Sequence, residues 1–271
     1  MNAPTRQACH PLSCTMTEPQ PIAPHEGAPR LSRQDRVWTI TLNRPEQHNR
    51  LDPADVAALT DTFVAARNEP LSLLVITGAG TRTFSSGYTL SAIASELDDR
   101  FEVMLDTLET LPFVTLAALN GSLYGGATDL ALCCDIRLGT TGMRMFMPAA
   151  RFGLHYYPGG LRRYVSRLGL PTASKLMLTG MTVDAEEMLR TGYLTELLGT
   201  DALAGRVQDY IEATRGTEPV VVAAMKRHLL ALAAQLRDAQ LAGLNEAMLA
   251  DHRASLVAPA LHERLAQVSR K

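Results

Sequence analysis

The sequence predicts an α/β core followed by a helical C-terminal region. Three observations carry this. Apolar runs at residues 71–77 (LSLLVIT) and 111–119 show little polar alternation, as strands buried on both faces do. Strand and helix patterns alternate over residues 37–140, which argues for βα units and a largely parallel sheet. From residue 161 onward the pattern is almost wholly helical.

Taken in order, residues 1–30 are proline-rich with little apolar periodicity and are expected to form a disordered or loosely draped tail. They lack the apolar core of a secretory signal. Val37–Leu42 (VWTITL) alternates well enough to be a strand, and Asn43-Arg44-Pro45-Glu46 is a turn. Asp52 and Pro53 open a helix as N-cap and first helical residue. That helix runs to about Arg67, with Val56, Leu59, Phe63 and Val64 on one face. The buried strand 71–77 ends at Gly78-Ala79-Gly80, and residues 90–111 are predicted to be one helix. Short strands are expected at 135–139 and 143–146, then a Gly- and aromatic-rich loop over 148–163 containing a short helix. Helices are expected at 161–168, 171–179, 184–191, 203–214, 219–232, 236–249 and 258–268. The boundaries are a tail at 1–35, an α/β core at 36–200 and a helical region at 201–271.

Length and composition exclude several classes. The chain has 271 residues, 46% apolar and 20% charged, with a net charge of −2. That gives no electrostatic case for nucleic acid or an anionic membrane as partner. No apolar run approaches the roughly 18–20 residues of a membrane span. The four cysteines form no pair of C-x-x-C units, so no zinc site is expected. Cys133 and Cys134 fall in an apolar helix and are read as buried free thiols, which suits a reducing cytosol.

The chemistry concentrates at 120–135 (NGSLYGGATDLALCCD). A strand leads to Asn120-Gly121, then to Gly125-Gly126, and an apolar helix begins. A helix start of this kind offers free backbone N–H groups and the positive end of the helix dipole. Asp129 lies three residues after Gly126 on the same helix face. Donors with a carboxylate beside them suit chemistry at a carbonyl.

Several blocks, in order, resemble the enoyl-CoA hydratase/isomerase (crotonase) superfamily. They are ITLNRP (40–45) with Asn49 and Leu51, LVITG (74–78) with FSSGYTL (84–90), and NGSLYGGATDLALCCDIRLG (120–139). Residues 147–153 with Pro158-Gly159, and LTGMTVDA (178–185), resemble later blocks. The resemblance covers about residues 36–270. It implies a crotonase-type spiral of ββα units, then a helical trimerisation region assembled as trimers or pairs of trimers. It further implies a cytoplasmic enzyme acting on an acyl-coenzyme A thioester, with coenzyme A as part of the substrate and no metal or redox cofactor.

Carried over by position, the resemblance makes the N–H groups of Tyr88 and Gly126 an oxyanion hole for the thioester carbonyl. Ser86, Thr89, Leu90, Gly125, Pro148, Ala149 and Tyr157 become substrate-binding positions. His48 and Arg50 fall where the nucleotide end of coenzyme A lies. Asp129 takes the place of the first catalytic glutamate of the hydratases, shorter by about 1.3–1.5 Å of reach. Family members that shift a double-bond pair carry an aspartate there. Ala149 takes the place of the second glutamate, so efficient hydration is not expected from these two positions. His155, Tyr156 and Tyr157 lie nearby as possible substitutes or as plain pocket wall, and Arg162 and Arg163 are read as solvated or phosphate-facing. His228, His252 and His262 receive no role. The leading expectation is an enoyl-CoA hydratase or isomerase. A thioester hydrolase, decarboxylase or dehalogenase on the same scaffold, and a weakly catalytic acyl-CoA-binding protein, remain open.

Overall fold

The computed structural model describes residues 20–21, 27–233 and 240–268, with side chains described for all of these except 20–21, 240–245, 247 and 268. The chain enters through β1 (Gln20–Pro21) and β2 (Arg30–Gln34), and β2 turns back antiparallel onto β3 (Val37–Leu42). Most of the expected tail, 1–19 and 22–26, lies outside the described residues, but its boundary at 35 is corrected. Arg30–Gln34 is a ladder-bonded strand. Its mixed RLSRQ composition hides it, because it draws its order from the apolar β3 beside it rather than from its own alternation.

After a 3₁₀ turn at Pro45–Gln47 comes α1 (Pro53–Arg67), with Pro53 at its first position and Asp52 N–H donating to Asp55 Oδ2 at 2.8 Å. Next are β4 (Leu73–Gly78), β5 (Thr83–Ser85), α2 (Leu90–Glu96) and α3 (Asp99–Glu109). The single helix expected over 90–111 is thus two. Leu97 is extended, and the Asp98 side chain accepts from Arg100 N–H at 3.0 Å, capping a new helix. Then follow β6 (Val114–Leu119), β7 (Ser122–Tyr124) and α4 (Gly126–Cys133), and after them β8 (Ile136–Thr140), β9 (Arg144–Phe146) and α5 (Ala149–Phe152).

Among the described residues the strands form two sheets, in the orders β1-β2-β3-β4-β6-β8 and β9-β7-β5, each extended by one late strand. The repeat is direct: β4, β6 and β8 join the large sheet in parallel, while their followers β5, β7 and β9 join the small one. A helix comes after each pair, so the chain winds as successive ββα units.

The remaining elements are α6 (Pro158–Thr179), β10 (Val183–Asp184), α7 (Ala185–Arg190), β11 (Glu196–Leu198), α8 (Leu203–Arg215), α9 (Pro219–Ala233), α10 (Gln240–Leu256) and α11 (Pro259–Val268). The expected break between two helices before Pro171 is present inside α6, at Gly169. The wholly helical reading beyond 161 is corrected by two short strands. β10 pairs with β9, and β11 extends the large sheet parallel to β8. Two or three residues are too few to leave a period in the sequence.

One face of the large sheet, with Ile40, Leu74 and Ile76, packs under α1, α3 and α4 in the main core. The other face, with Leu73, Val75, Leu116 and Leu138, is covered by Leu203, Val207 and Ile211 of α8. Both faces are therefore buried, which explains the unbroken apolar run of β4. Each such leucine or isoleucine contributes about 1.5–3 kcal/mol on full burial. α8 thus packs on the core, although the expected boundary at 200 put it with the helical region.

Candidate active site

The site begins where two strands of the small sheet end. β5 runs out into Ser86-Gly87-Tyr88-Thr89, and β7 runs out into Gly125, whose N–H donates to Phe146 O at 3.0 Å. Leu51 N–H donates to Gly87 O at 2.8 Å and Thr89 N–H to Leu51 O at 2.9 Å, a parallel bridge that leaves Tyr88 N–H outside it. Gly126 is the first residue of α4, so its N–H has no acceptor within the helix. Gly87 draws the two segments together. Its φ is +82°, and a Cβ there would stand 2.7 Å from Gly126 N. Only glycine permits both the left-handed backbone and the close approach. The Tyr88 and Gly126 donors thus belong to touching segments, at the positive end of α4.

Asp129, one turn into α4, is completely buried. Arg163 of α6 holds both its oxygens: Nε donates to Oδ1 at 2.9 Å and Nη2 to Oδ2 at 3.1 Å. Tyr157 Oη donates to Oδ2 at 2.5 Å and Tyr156 Oη at 3.3 Å, with the two hydroxyls 2.9 Å apart. The tyrosines can lie this close to α6 because residue 160 is glycine. A Cβ there would strike the Tyr156 ring and stand 2.9 Å from Asp129 Oδ2.

Arg163 corrects an expectation. It is neither solvated nor phosphate-facing but fully buried, and its Nη1 also reaches Asp106 Oδ1 at 2.6 Å and Glu109 Oε2 at 3.1 Å. Gly159, Gly160, Arg163 and Tyr164 form the inward face of the α6 N-terminal turns, which a reading of charge as surface overlooks. Arg162 points aside, part-exposed, and pairs with Glu109 at 3.0 Å. Burial alone would lower the affinity of Arg163 for its proton, but the acidic groups around it, Asp129 foremost and then Cys133 and Tyr157, together outweigh burial and hold the guanidinium well above its ordinary value. Burial likewise acts to raise Glu109, and the guanidinium groups of Arg163, Arg167 and Arg162 bring it net below the usual range.

These groups border a cavity of about 520 Å³. Of the sequence-predicted residues, Arg50, Ser86, Tyr88, Thr89, Leu90, Gly125, Gly126, Pro148, Ala149 and Tyr157 line it. Asp129 does not: Tyr156 and Tyr157, which do line it, cover the carboxylate. His48 is not in the lining either; it is exposed, with Nδ1 2.9 Å from Thr83 Oγ1. Arg50 pairs with Asp52 at 3.2 Å. Phe101, Phe152 and Leu154 make an apolar wall, and among the described residues no aspartate or glutamate stands in the lining. Burial first, then the Asp129 charge, push the Tyr156 and Tyr157 hydroxyls well above the ordinary tyrosine value, so both remain protonated phenols.

His252 also lines the cavity. It comes from α10, about a hundred residues after the tyrosines, and no local motif marks it. The one signal is its spacing from Ser255, which puts both on one helix face.

Residues 32–256 match the family model described as enoyl-CoA hydratase/isomerase. The chain is 30% identical to the (E)-benzylidenesuccinyl-CoA hydratase of Thauera aromatica over 204 residues, 73% of this chain and 80% of that one. Its fold is similar to that of an enoyl-CoA hydratase from Mycobacterium avium subsp. paratuberculosis, with a TM-score of 0.79 at 23% identity over 90% of this chain and 99% of that one. A methylmalonyl-CoA decarboxylase has a similar fold, with a TM-score of 0.81 at 16% identity over 89% and 95% of the two chains.

Proposed function

Because the chain belongs to the enoyl-CoA hydratase/isomerase family, we propose that it moves a proton at the α-carbon of an acyl-coenzyme A thioester, using a tyrosine relay. The observation that carries this is the covering of Asp129 by Tyr157 and Tyr156, whose hydroxyls reach Oδ2 and whose rings face the cavity.

The thioester oxygen sits between the N–H groups of Tyr88 and Gly126. Removing a proton from the α-carbon sends the bonding electrons onto that oxygen. Donors already aimed at it lower the barrier by roughly 3–4 kcal/mol each. The α4 dipole adds to them. The proton goes to Tyr157 Oη while the hydroxyl's own proton passes to Asp129 Oδ2, so no free tyrosinate forms. This matters because burial disfavours tyrosinate here. Return of the proton to the same carbon, or to its vinylogous position, completes exchange or a double-bond shift. Arg163 fixes the carboxylate so that Oδ2 faces the relay. Arg50 faces the phosphates of coenzyme A. The working particle is a trimer or a pair of trimers, a reading supported by the exposed apolar face of α9.

The test is solvent-deuterium exchange into the α-carbon of a saturated acyl-CoA, read by mass spectrometry. Tyr157→Phe should slow exchange on the order of 10²–10⁴-fold. Exchange at the parent rate would remove Tyr157 from the mechanism.

A further inference from the structure

We infer that His252 is the second catalytic group of this site: Nε2 takes a proton from a water that adds to the β-carbon of a 2-enoyl thioester, which makes the protein a hydratase/dehydratase. This rests on the relay reading above and extends it to the substrate class.

Three features of the geometry support it. The first is the tautomer. His252 Nδ1 lies 2.6 Å from the carbonyl oxygen of His155. A carbonyl accepts only, so Nδ1 carries the hydrogen and Nε2 keeps its lone pair. The second is fixation. His155 N–H donates to Ser255 Oγ at 2.8 Å, and Ser255 Oγ–H donates to His252 O at 2.7 Å. One turn of α10 is thereby bonded to residue 155, immediately before the tyrosine pair. The third is placement. The His252 ring packs edge-to-face on Tyr157 at 6.2 Å, Tyr157 on Phe101 at 6.3 Å, and Phe101 on Tyr88 at 5.6 Å. His252 also lines the same cavity as the donors and the relay tyrosine.

The surroundings keep the imidazole neutral. Burial first, then His155 and Arg253, hold His252 below the ordinary histidine value, although its bond to His155 pulls the other way. Among the described residues no carboxylate lines the cavity beside it to stabilise a cation. Ala149, where a carboxylate would make a histidine redundant, leaves the wall open.

The step balances. One O–H bond of water breaks and its proton goes to Nε2. The oxygen bonds to the β-carbon, and the C=C electrons move onto the thioester oxygen held by Tyr88 and Gly126. Tyr157 then gives a proton to the α-carbon and takes one back from the imidazolium through a second water, while the Asp129 carboxylate accepts from and orients the hydroxyl, so that both residues return to their starting states. The net change is addition of one water, and the reverse is dehydration of a 3-hydroxyacyl thioester. The apolar wall suits an alkyl or aryl enoyl chain.

The experiment compares parent, His252→Asn, His252→Ala and Tyr157→Phe on crotonyl-CoA and cinnamoyl-CoA, with α-deuterium exchange measured in parallel. Asparagine retains a donor toward His155 O and removes the base. His252→Asn should lose hydration by about 10²–10⁴-fold and lose far less of the exchange, so that the ratio of hydration to exchange falls. Added imidazole should restore part of the hydration by His252→Ala. Tyr157→Phe should lose both activities. Hydration at the parent rate by His252→Asn overturns the role of His252, and so does a parent enzyme that exchanges α-hydrogens but hydrates neither substrate. Retention of both activities by Tyr157→Phe overturns the relay alone.

Discussion

Asp129 and Arg163 are a buried ion pair with no water-facing side, and each is costly without the other. Asp129→Asn leaves the guanidinium facing a neutral amide, with Asp106 and Glu109 still bound to Nη1. The expected outcome is near-parent acyl-CoA affinity, because the amide would still lie behind the tyrosines, together with exchange reduced on the order of 10²–10⁴-fold. Calorimetry and the exchange assay separate the two effects. Arg163→Met removes the partner of a fully buried carboxylate and should cost about 3–5 kcal/mol of stability, read from urea unfolding. A loss below 1 kcal/mol would mean that the pair relaxes toward solvent. At this scale the sequence singled out Tyr88, Gly126 and Asp129; the structure sets Tyr88 and Gly126 in the wall of one cavity and buries Asp129 behind it. The sequence did not disclose that Asp129 is covered, because the tyrosines and Arg163 reach it from a helix start some thirty residues away.

At the scale of elements, the buried phenols give the site helices a pH limit. Tyr156 and Tyr157 hold their protons more tightly in the folded chain than in the unfolded one, whose ordinary value is 10.0. For groups of this sign the stabilisation is whole below pH 10 and is lost as pH rises above it, because only the unfolded chain releases the protons. The urea midpoint should be flat up to about pH 8, begin to fall as pH passes 9.0, where the unfolded chain releases the protons of the buried Cys133 and Cys134, and fall further above pH 10, that last part more shallowly in Tyr157→Phe. A matching check lies on α4 and the residue after it. Burial raises the Cys133 thiol well above its ordinary value and pushes Cys134 up to about 12. Neither should react with a thiol reagent at pH 8 until the protein unfolds, as peptide mapping will show. The long strands and α1 were legible because apolar runs and an N-cap mark them locally. β2, β10, β11 and the role of α10 were not. Each is specified by the surface it docks on: β3, β9 and β8 for the strands, and the backbone of residue 155 for the helix.

For the whole molecule, the unfinished surface is α9. Val221, Met225, Leu229 and Leu232 recur at helical spacing and are 47%, 61%, 67% and 61% exposed. An apolar stripe that faces no described part of its own chain is expected to meet another copy. Four such side chains offer roughly 1.5–3 kcal/mol each on full burial. That sum is about the size of the 4–15 kcal/mol that association costs in lost freedom. An interface centred on α9 is therefore near balance, and one charge inside it should tip it. Light scattering should give three or six times the 29.4 kDa of the chain for the parent. Leu229→Glu should shift the mass toward one chain with the circular dichroism spectrum unchanged. The described residues of one chain already supply both donors and the relay tyrosine, so dissociated Leu229→Glu should keep α-exchange within a few-fold of the parent. A parent that is monomeric at every concentration would show instead that the stripe meets no other copy of this chain.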